Sequence, residues 1–331
     1  MLRYLLALAT IALCTAAQPP TGQAASAQIL KFGYILAPNS QLGAGYRVFA
    51  DEVARRTDGR YRIEQYPNAQ LGGEIAMIKG VQLGTIDIAY ISGAAVANVV
   101  PQVGIFGIPF LIRDAAHAHA VLDGPFGRDL LAKFAGQGVV ALAWGANGMH
   151  HLTNSRRPVA GPEDLRDLKL GVPQNETIEK GFRALGANAR QLAFPELYGA
   201  LQAGWFDSQE NPIATIVAAR FAQVQSHLSL TGHIYDPAVF LMSRDAFADL
   251  PEADRAAFAD AARLGGLASR DFAARAETSG VELLQNNGMK VAPAIDRERF
   301  VQAMTPVMPI FEAQFGDAAI ALVRAQQVAR Q

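Results

Sequence analysis

Apolar positions recur along the chain at two spacings, and their alternation predicts the order of elements. Residues 29–36 read as a strand; Ser40 then caps a helix that carries Val48, Phe49, Val53 and Ala54 on one face and stops at Gly59. Residues 61–66 alternate again as a strand. A second helix spans residues 74–83, and residues 86–91 form a β-branched run of the kind that is buried on both faces. Glycines and Pro109 break the pattern over residues 104–112. Two helices follow, at 114–122 and 125–135, and residues 139–144 make the next strand. Strands alternating with helices predict an α/β fold with a mostly parallel sheet covered on both faces.

A second α/β set begins beyond Asn147-Gly148, a dipeptide that predicts a turn where the chain leaves a first domain. It consists of a strand at 168–172, helices at 177–185, 196–203 and 213–221, and strands at 228–233 and 238–242. The last two flank Asp236-Pro237, read as a second crossing between domains. Pro251 opens a helical tract over 251–286 in which Gly265-Gly266 and Gly280 read as weak points. A short strand at 289–292 and helices at 296–315 and 317–329 complete the chain. The expected division is a first domain of residues 28–147 plus 237–276 and a second of 148–236 plus 277–331, which suits a mature chain of this length.

The amino terminus adds a destination. Arg3 followed by an apolar run over 4–13 is too short to span a bilayer, and Ala25-Ser26-Ala27 gives a small-residue cleavage pattern, so residues 1–27 are expected to be a signal peptide and the protein to be periplasmic. The single cysteine, Cys14, lies inside that leader behind Leu13, which argues against lipidation and leaves the mature chain without a thiol ligand. Residues 94–112, the most apolar later stretch, are interrupted by Asn98, Pro101, Gln102 and Pro109 and read as core. Loss of Arg3 leaves 28 basic against 30 acidic side chains with no basic run, which argues against nucleic acid as a partner.

Catalytic signatures are missing. The chain holds no nucleophile elbow, no paired zinc-binding histidines, no P-loop and no dinucleotide fingerprint. His117 and His119 stand two apart on a predicted helix, so they cannot share a metal there. No enzyme, cofactor or metal is expected.

Residues 168–211 carry the most specific pattern: Leu168-Lys169-Leu170-Gly171-Val172-Pro173, then Ala184-Leu185-Gly186-Ala187, Ala193-Phe194-Pro195-Glu196-Leu197-Tyr198 and Gln209-Glu210-Asn211. With Gln70-Leu71-Gly72-Gly73-Glu74 and Asn147-Gly148-Met149-His150-His151-Leu152-Thr153-Asn154-Ser155, it resembles the solute-binding proteins of tripartite ATP-independent periplasmic (TRAP) transporters, over nearly the whole mature chain. The resemblance implies a periplasmic-binding-protein-like (type II) two-domain fold with a hinge and an interdomain cleft. It implies a monomeric receptor that captures a small organic molecule, by default a carboxylate, and hands it to membrane permease subunits. Presentation to a sensor is the alternative to transport.

The residues implied for the ligand are Asn211, Phe194, Glu74 and Gln174, with His150 and Gly171 at the two positions where the family carries arginine. Strand ends at Tyr34, Ile35, Tyr90, Ile91 and Trp144 are expected to line the same cleft, since open α/β sheets bind beyond the carboxyl ends of their strands. With Gly171 in place of the carboxylate clamp, two ligand classes stay open. One is a small organic acid held by amides, His150 and backbone N–H groups. The other is a neutral or cationic molecule against an apolar wall, with Glu74 or Glu176 as counter-charge.

Overall fold

The computed structural model describes residues 26–292 and 295–326. The expected leader lies outside the described residues but for its last two, and so does Cys14. Among the described residues nine strands form one sheet: β1 (Gln28–Gly33), β2 (Tyr61–Tyr66), β3 (Ile88–Ser92), β4 (Val139–Asn154), β5 (Lys169–Val172), β6 (Asn188–Gln191), β7 (Ser208–Pro212), β8 (His227–Ser243) and β9 (Lys290–Val291). Their order is β2-β1-β3-β8-β4-β7-β5-β6, with β9 beside β8. The expected parallel pairing holds in the two wings, β2-β1-β3 and β7-β5-β6. The centre differs, because β8 runs antiparallel to both β3 and β4, and β4 runs antiparallel to β7.

The two long central strands correct one turn expectation and join two expected strands. Asn147-Gly148 is not a turn, since β4 runs straight through it, and Asp236-Pro237 lies inside the single strand β8; the two dipeptides face each other, Ala146 opposite Pro237 and Gly148 opposite Asp236, across a register shift. Gly148 takes the positive φ (134°) that this irregularity requires, and Pro237, having no N–H to give a ladder, sits where the ladder is broken. Each strand therefore belongs to both wings.

Helices cover the wings much as the apolar periods predict. Gln41–Arg56 starts at Ser40, whose side chain accepts from the Gly43 N–H, and buries Phe49 and Val53. In the first wing Phe32, Phe49, Phe240 and Phe258 pack ring to ring with centroids 5.4 to 5.9 Å apart. In the second wing Leu197, Leu201, Ile213, Ile216 and Phe221 form a separate apolar cluster. The helix Glu252–Asn286 is unbroken along its 35 residues. Gly266 is a contact point and not a weak one, since a Cβ there would lie 2.3 Å from the Trp144 carbonyl oxygen of β4. Near the carboxyl end, the expected helix over 296–315 is split by a 3-10 turn at Thr305–Val307, where Pro306 interrupts the α-helical ladder. Among the described residues no single helix is long and apolar enough to cross a membrane.

Candidate functional site

Parallel strands end towards one side of each wing, and the two sets of ends meet across β4 and β8. A narrow cleft lies between them. The first wing lines it with Ile35, Glu74, Ser92 and Ala95. The central strands add Asn147 and Asp236, and the second wing adds Gly171, Val172, Pro173, Gln174, Leu192, Phe194, Leu197 and Asn211.

Local folding fixes the polar groups. Glu74 opens the helix Glu74–Gln82, and its carboxylate turns back to accept from the Ser92 N–H at 2.7 Å and the Ser92 hydroxyl at 2.9 Å. The residue is half-buried, but its carboxylate end faces inward. Burial pushes the carboxyl up to about 7; the Ser92 bonds oppose that shift and the neighbouring Asp236 carboxylate adds to it. Asp236 accepts from the Ala94 N–H at 2.8 Å and from Asn147 Nδ2 at 2.9 Å. Asn147 is held in turn by Gln41 Nε2, which donates to its carbonyl and to Oδ1, at 3.0 and 2.9 Å, and reaches Thr215 Oγ1 at 2.8 Å.

Behind this layer lies a buried triad. His150 Nδ1 bonds Glu210 Oε2, and His233 Nε2 donates to the same oxygen at 3.0 Å while the Thr231 hydroxyl donates to His233 Nδ1 at 2.6 Å. His150 Nε2 faces Asp236 Oδ2 at 3.8 Å. Burial alone would lower the His150 pKa, but the Glu210 and Asp236 carboxylates outweigh it and push the imidazole up to about 10. Burial also dominates at His233 and lowers it to about 4, so that ring is neutral. Glu210 stays ionised: the two histidines overcome its burial and hold its carboxyl below the usual range. His150 is thus an imidazolium wedged between two carboxylates. Among the described residues, His150, Glu210 and His233 are the group whose potential metal-ligand atoms converge. The nitrogen atoms bonded to Glu210, His150 Nδ1 and His233 Nε2, already share their protons with that carboxylate, so the arrangement is a hydrogen-bonded core.

Of the expected residues, the fold brings Ile35, Glu74, Gly171, Gln174, Phe194 and Asn211 together on the cleft. It places the others elsewhere. Tyr34 is fully buried and bonded through its hydroxyl to Gln65. Tyr90 stacks on Phe240 with ring centroids 3.9 Å apart and bonds Ser269 at 2.6 Å. Ile91 is fully buried, and Trp144 gives its indole N–H to the Gly127 carbonyl at 2.9 Å beside a different groove. His150 lies one layer behind the lining. Tyr90 and Ile91 point to opposite faces of β3 and both pack away from the cleft, which that strand reaches at its last residue, Ser92. His117 and His119 also diverge as expected, to the Val323 carbonyl and the Tyr235 hydroxyl. Sequence reasoning missed Ala95, Asn147, Val172, Leu192, Leu197 and Asp236 as lining; for Asp236 the one available signal was an acidic residue at an expected crossing.

At the Gly171 position an added Cβ would come within 3.0 Å of Leu197 Cδ1 and 3.6 Å of the Phe206 ring. Apolar side chains therefore occupy the direction in which a longer side chain from this strand would leave the backbone.

With that geometry in place, the comparisons with known proteins are direct. The sequence profile of the bacterial extracellular solute-binding proteins, family 7, matches residues 32–314. A solute-binding protein of Verminephrobacter eiseniae is 44% identical over 304 residues, 92% of this chain and 91% of that protein. The 2,3-diketo-L-gulonate-binding periplasmic protein of Escherichia coli is 34% identical over 279 residues, 84% of this chain and 85% of its own. A crystal structure of a TRAP periplasmic solute-binding protein from a Polaromonas species, bound to D-erythronate, superimposes with a TM-score of 0.89 at 41% identity, covering 92% of this chain and 100% of that one.

Proposed function

Since the chain belongs to family 7 of the bacterial extracellular solute-binding proteins and is the receptor component of a TRAP transporter, we propose that it captures a short hydroxylated solute between Glu74, Asp236 and Asn147 on one side and Gln174, Phe194 and Asn211 on the other. The receptor itself performs no chemistry; it binds a small organic molecule outside the cytoplasm and works with membrane permease subunits. The observation that carries the site is the cleft at the strand ends of both wings, with fixed acceptors on one wall and an aromatic face on the other. The relatives that bind D-erythronate and 2,3-diketo-L-gulonate supply the size and hydroxylation expected of the solute. Export through cleavage near Ala27 and a monomeric state belong to the same reading.

Continuous β4 and β8 suggest how the receptor would act: bending where Ala146 and Gly148 face Pro237 and Asp236 would move one wing towards the other over a bound solute. Protein purified from periplasm should begin near Gln28 and carry a releasable solute, and a thermal-shift screen of hydroxylated acids and polyols should raise its melting temperature. A ligand at 100 times its Kd adds about 2.7 kcal/mol. An empty protein that no member of that screen stabilises would contradict the reading.

A further inference from the structure

We propose that the cleft takes up its organic acid together with one proton, held on the Glu74 carboxyl, which then donates a hydrogen bond to the solute's carboxylate. The inference rests on the receptor reading above, with a solute that is an acid, as D-erythronate is in the related receptor.

The first observation is the charge of the lining. Glu74 and Asp236 bring carboxyl groups to it, and no lysine, arginine or histidine side chain lines it. Neutral donors are present: the side-chain amides of Asn147 and Asn211 each have a second N–H beyond the one given to Asp236 or to Gln209, and Gln174 adds another amide. Such groups orient an incoming carboxylate but bring no net positive charge. With both carboxyl groups ionised, the solute would be a third like charge in a narrow site, a juxtaposition that strongly disfavours binding. A proton taken up with the solute removes one of the three.

The second observation is where that proton goes. The Asp236 carboxylate accepts from the Ala94 N–H on one oxygen and from Asn147 Nδ2 on the other, and it faces His150 Nε2 at 3.8 Å, so its charged form has two donors and an imidazolium beside it. Glu74 has no cation. Ser92 alone serves it, through its N–H and its hydroxyl. The elements packed against the start of the Glu74 helix add no positive charge. β3 and the short helix Gly93–Val96 carry one titratable group, Tyr90, which bonds Ser269; β8 brings the Asp236 carboxylate, while its His233 is bonded to Glu210. Lys79, the other charge on the same helix, stands in its last turn, and Glu196, next to the Pro195 ring that approaches Gly73, is acidic and exposed. Burial, opposed by the Ser92 bonds and reinforced by Asp236, pushes the Glu74 carboxyl up to about 7. Near neutral pH about half of the free protein therefore carries the proton already, and the requirement lowers affinity only about twofold.

Protonation also changes what Glu74 offers. An ionised carboxylate only accepts hydrogen bonds, whereas a protonated one has an O–H to give. The Ser92 hydroxyl already accepts from the Ala95 N–H and gives its own hydrogen to Glu74 Oε2, which leaves the Glu74 O–H for the cleft. The group that would repel the solute as an anion thus becomes a donor to it, in a charge-assisted bond between acid and carboxylate. The bound anion in turn raises the Glu74 carboxyl further, since it disfavours the ionised form.

The test is titration calorimetry of the mature chain with sodium erythronate and sodium galactonate, each in phosphate and in Tris, whose different heats of ionisation report the protons exchanged. Uptake is expected to be about half a proton per solute at pH 7 and about nine-tenths at pH 8, and apparent affinity should fall about tenfold from pH 8 to pH 9. Glu74→Gln keeps a donor in place but cannot titrate. It should bind the acid without proton uptake and with an affinity that stays flat between about pH 6 and 9, while its melting shows the fold intact. Binding of either acid by the native chain without proton uptake, or uptake that persists unchanged in Glu74→Gln, would overturn the proposal and leave the receptor reading standing. The native chain decides the first of these by itself, whatever the variant's stability. No titration heat and no shift in melting temperature with either acid in either buffer would sink the receptor reading as well.

Discussion

One wall of the cleft is polar and pre-set; the other is apolar and uncharged. On the first, Glu74, Ser92, Asp236 and Asn147 are tied to one another and, through Gln41, Thr215 and His150, to a buried polar layer shared by both wings. On the second, Leu192, Phe194 and Leu197 stand over a glycine, with Gln174 and Asn211 as the polar exceptions. Such a division assigns selectivity for donors and charge to the first wall and shape to the second. Polar groups fixed before the solute arrives discriminate by leaving an unmatched partner unpaired, while apolar contact is worth little per methylene and discriminates weakly.

The largest effect should come from removing the link between wall and core. Asp236→Ala would leave the Ala94 N–H and the Asn147 amide without their acceptor and remove a carboxylate 3.8 Å from the buried His150 imidazolium, at a cost of about 3 to 5 kcal/mol. Denaturant unfolding measures this; a loss no larger than that of an exposed substitution would break the claim that the polar wall is pre-set.

On the apolar wall, Gly171→Arg must displace Leu197 or Phe206. Overpacking of that kind costs roughly 1 to 3 kcal/mol, and solute affinity should fall with it. An increase in affinity for simple organic acids would instead show that the second wall can be given the first wall's role of reading charge.

A pH series sharpens the comparison. The Glu74 carboxyl is raised from 4.5 to about 7 in the folded chain, so the folded state holds that proton more tightly than the unfolded one. Its contribution is fully present below the unfolded value and is lost as pH rises through the folded one, between about 4.5 and 7. His150, raised from 6.5 to about 10, loses its contribution at higher pH, between about 6.5 and 10. Glu74→Gln should flatten the lower window and spare the upper one, as followed by melting temperature across the series.

The smallest effect is expected from Trp144→Phe. It removes the hydrogen bond to the Gly127 carbonyl, worth about 0.5 to 1.5 kcal/mol, and should leave solute affinity unchanged because Trp144 faces another groove. A changed affinity would extend the site beyond the two walls.

Much of this architecture is legible in the sequence because it depends on local period. The capped helix after Ser40, the buried strand before Ser92 and the long helix after Pro251 all follow from spacing that tertiary contacts do not override. Continuity of the central strands is not legible. Asn-Gly and Asp-Pro are turn dipeptides by local preference, and only the partners Gln41, Asp236 and Ala94, distant in sequence, hold these ones extended. β6, four mostly polar residues, is too short to announce itself. In the cleft, Ile35, Pro173 and Gln174 could be found because they lie just past strands β1 and β5. Tyr34, Tyr90 and Ile91 do not line it because contacts with residues distant in sequence, Gln65 for Tyr34 and Phe240 for Tyr90, and burial in the core for Ile91, turn them away from the cleft. Asp236 reaches the site only through pairing of β8 with β4, a contact that no spacing along the chain encodes.

Hydrogen exchange with and without the solute released from the periplasmic protein tests the cleft itself. The account predicts slowed exchange at residues 92–95, 171–174 and 194–197, on both walls together, with the groove beside Trp144 unaffected. Protection of one wall alone, or protection centred on Trp144, would contradict it.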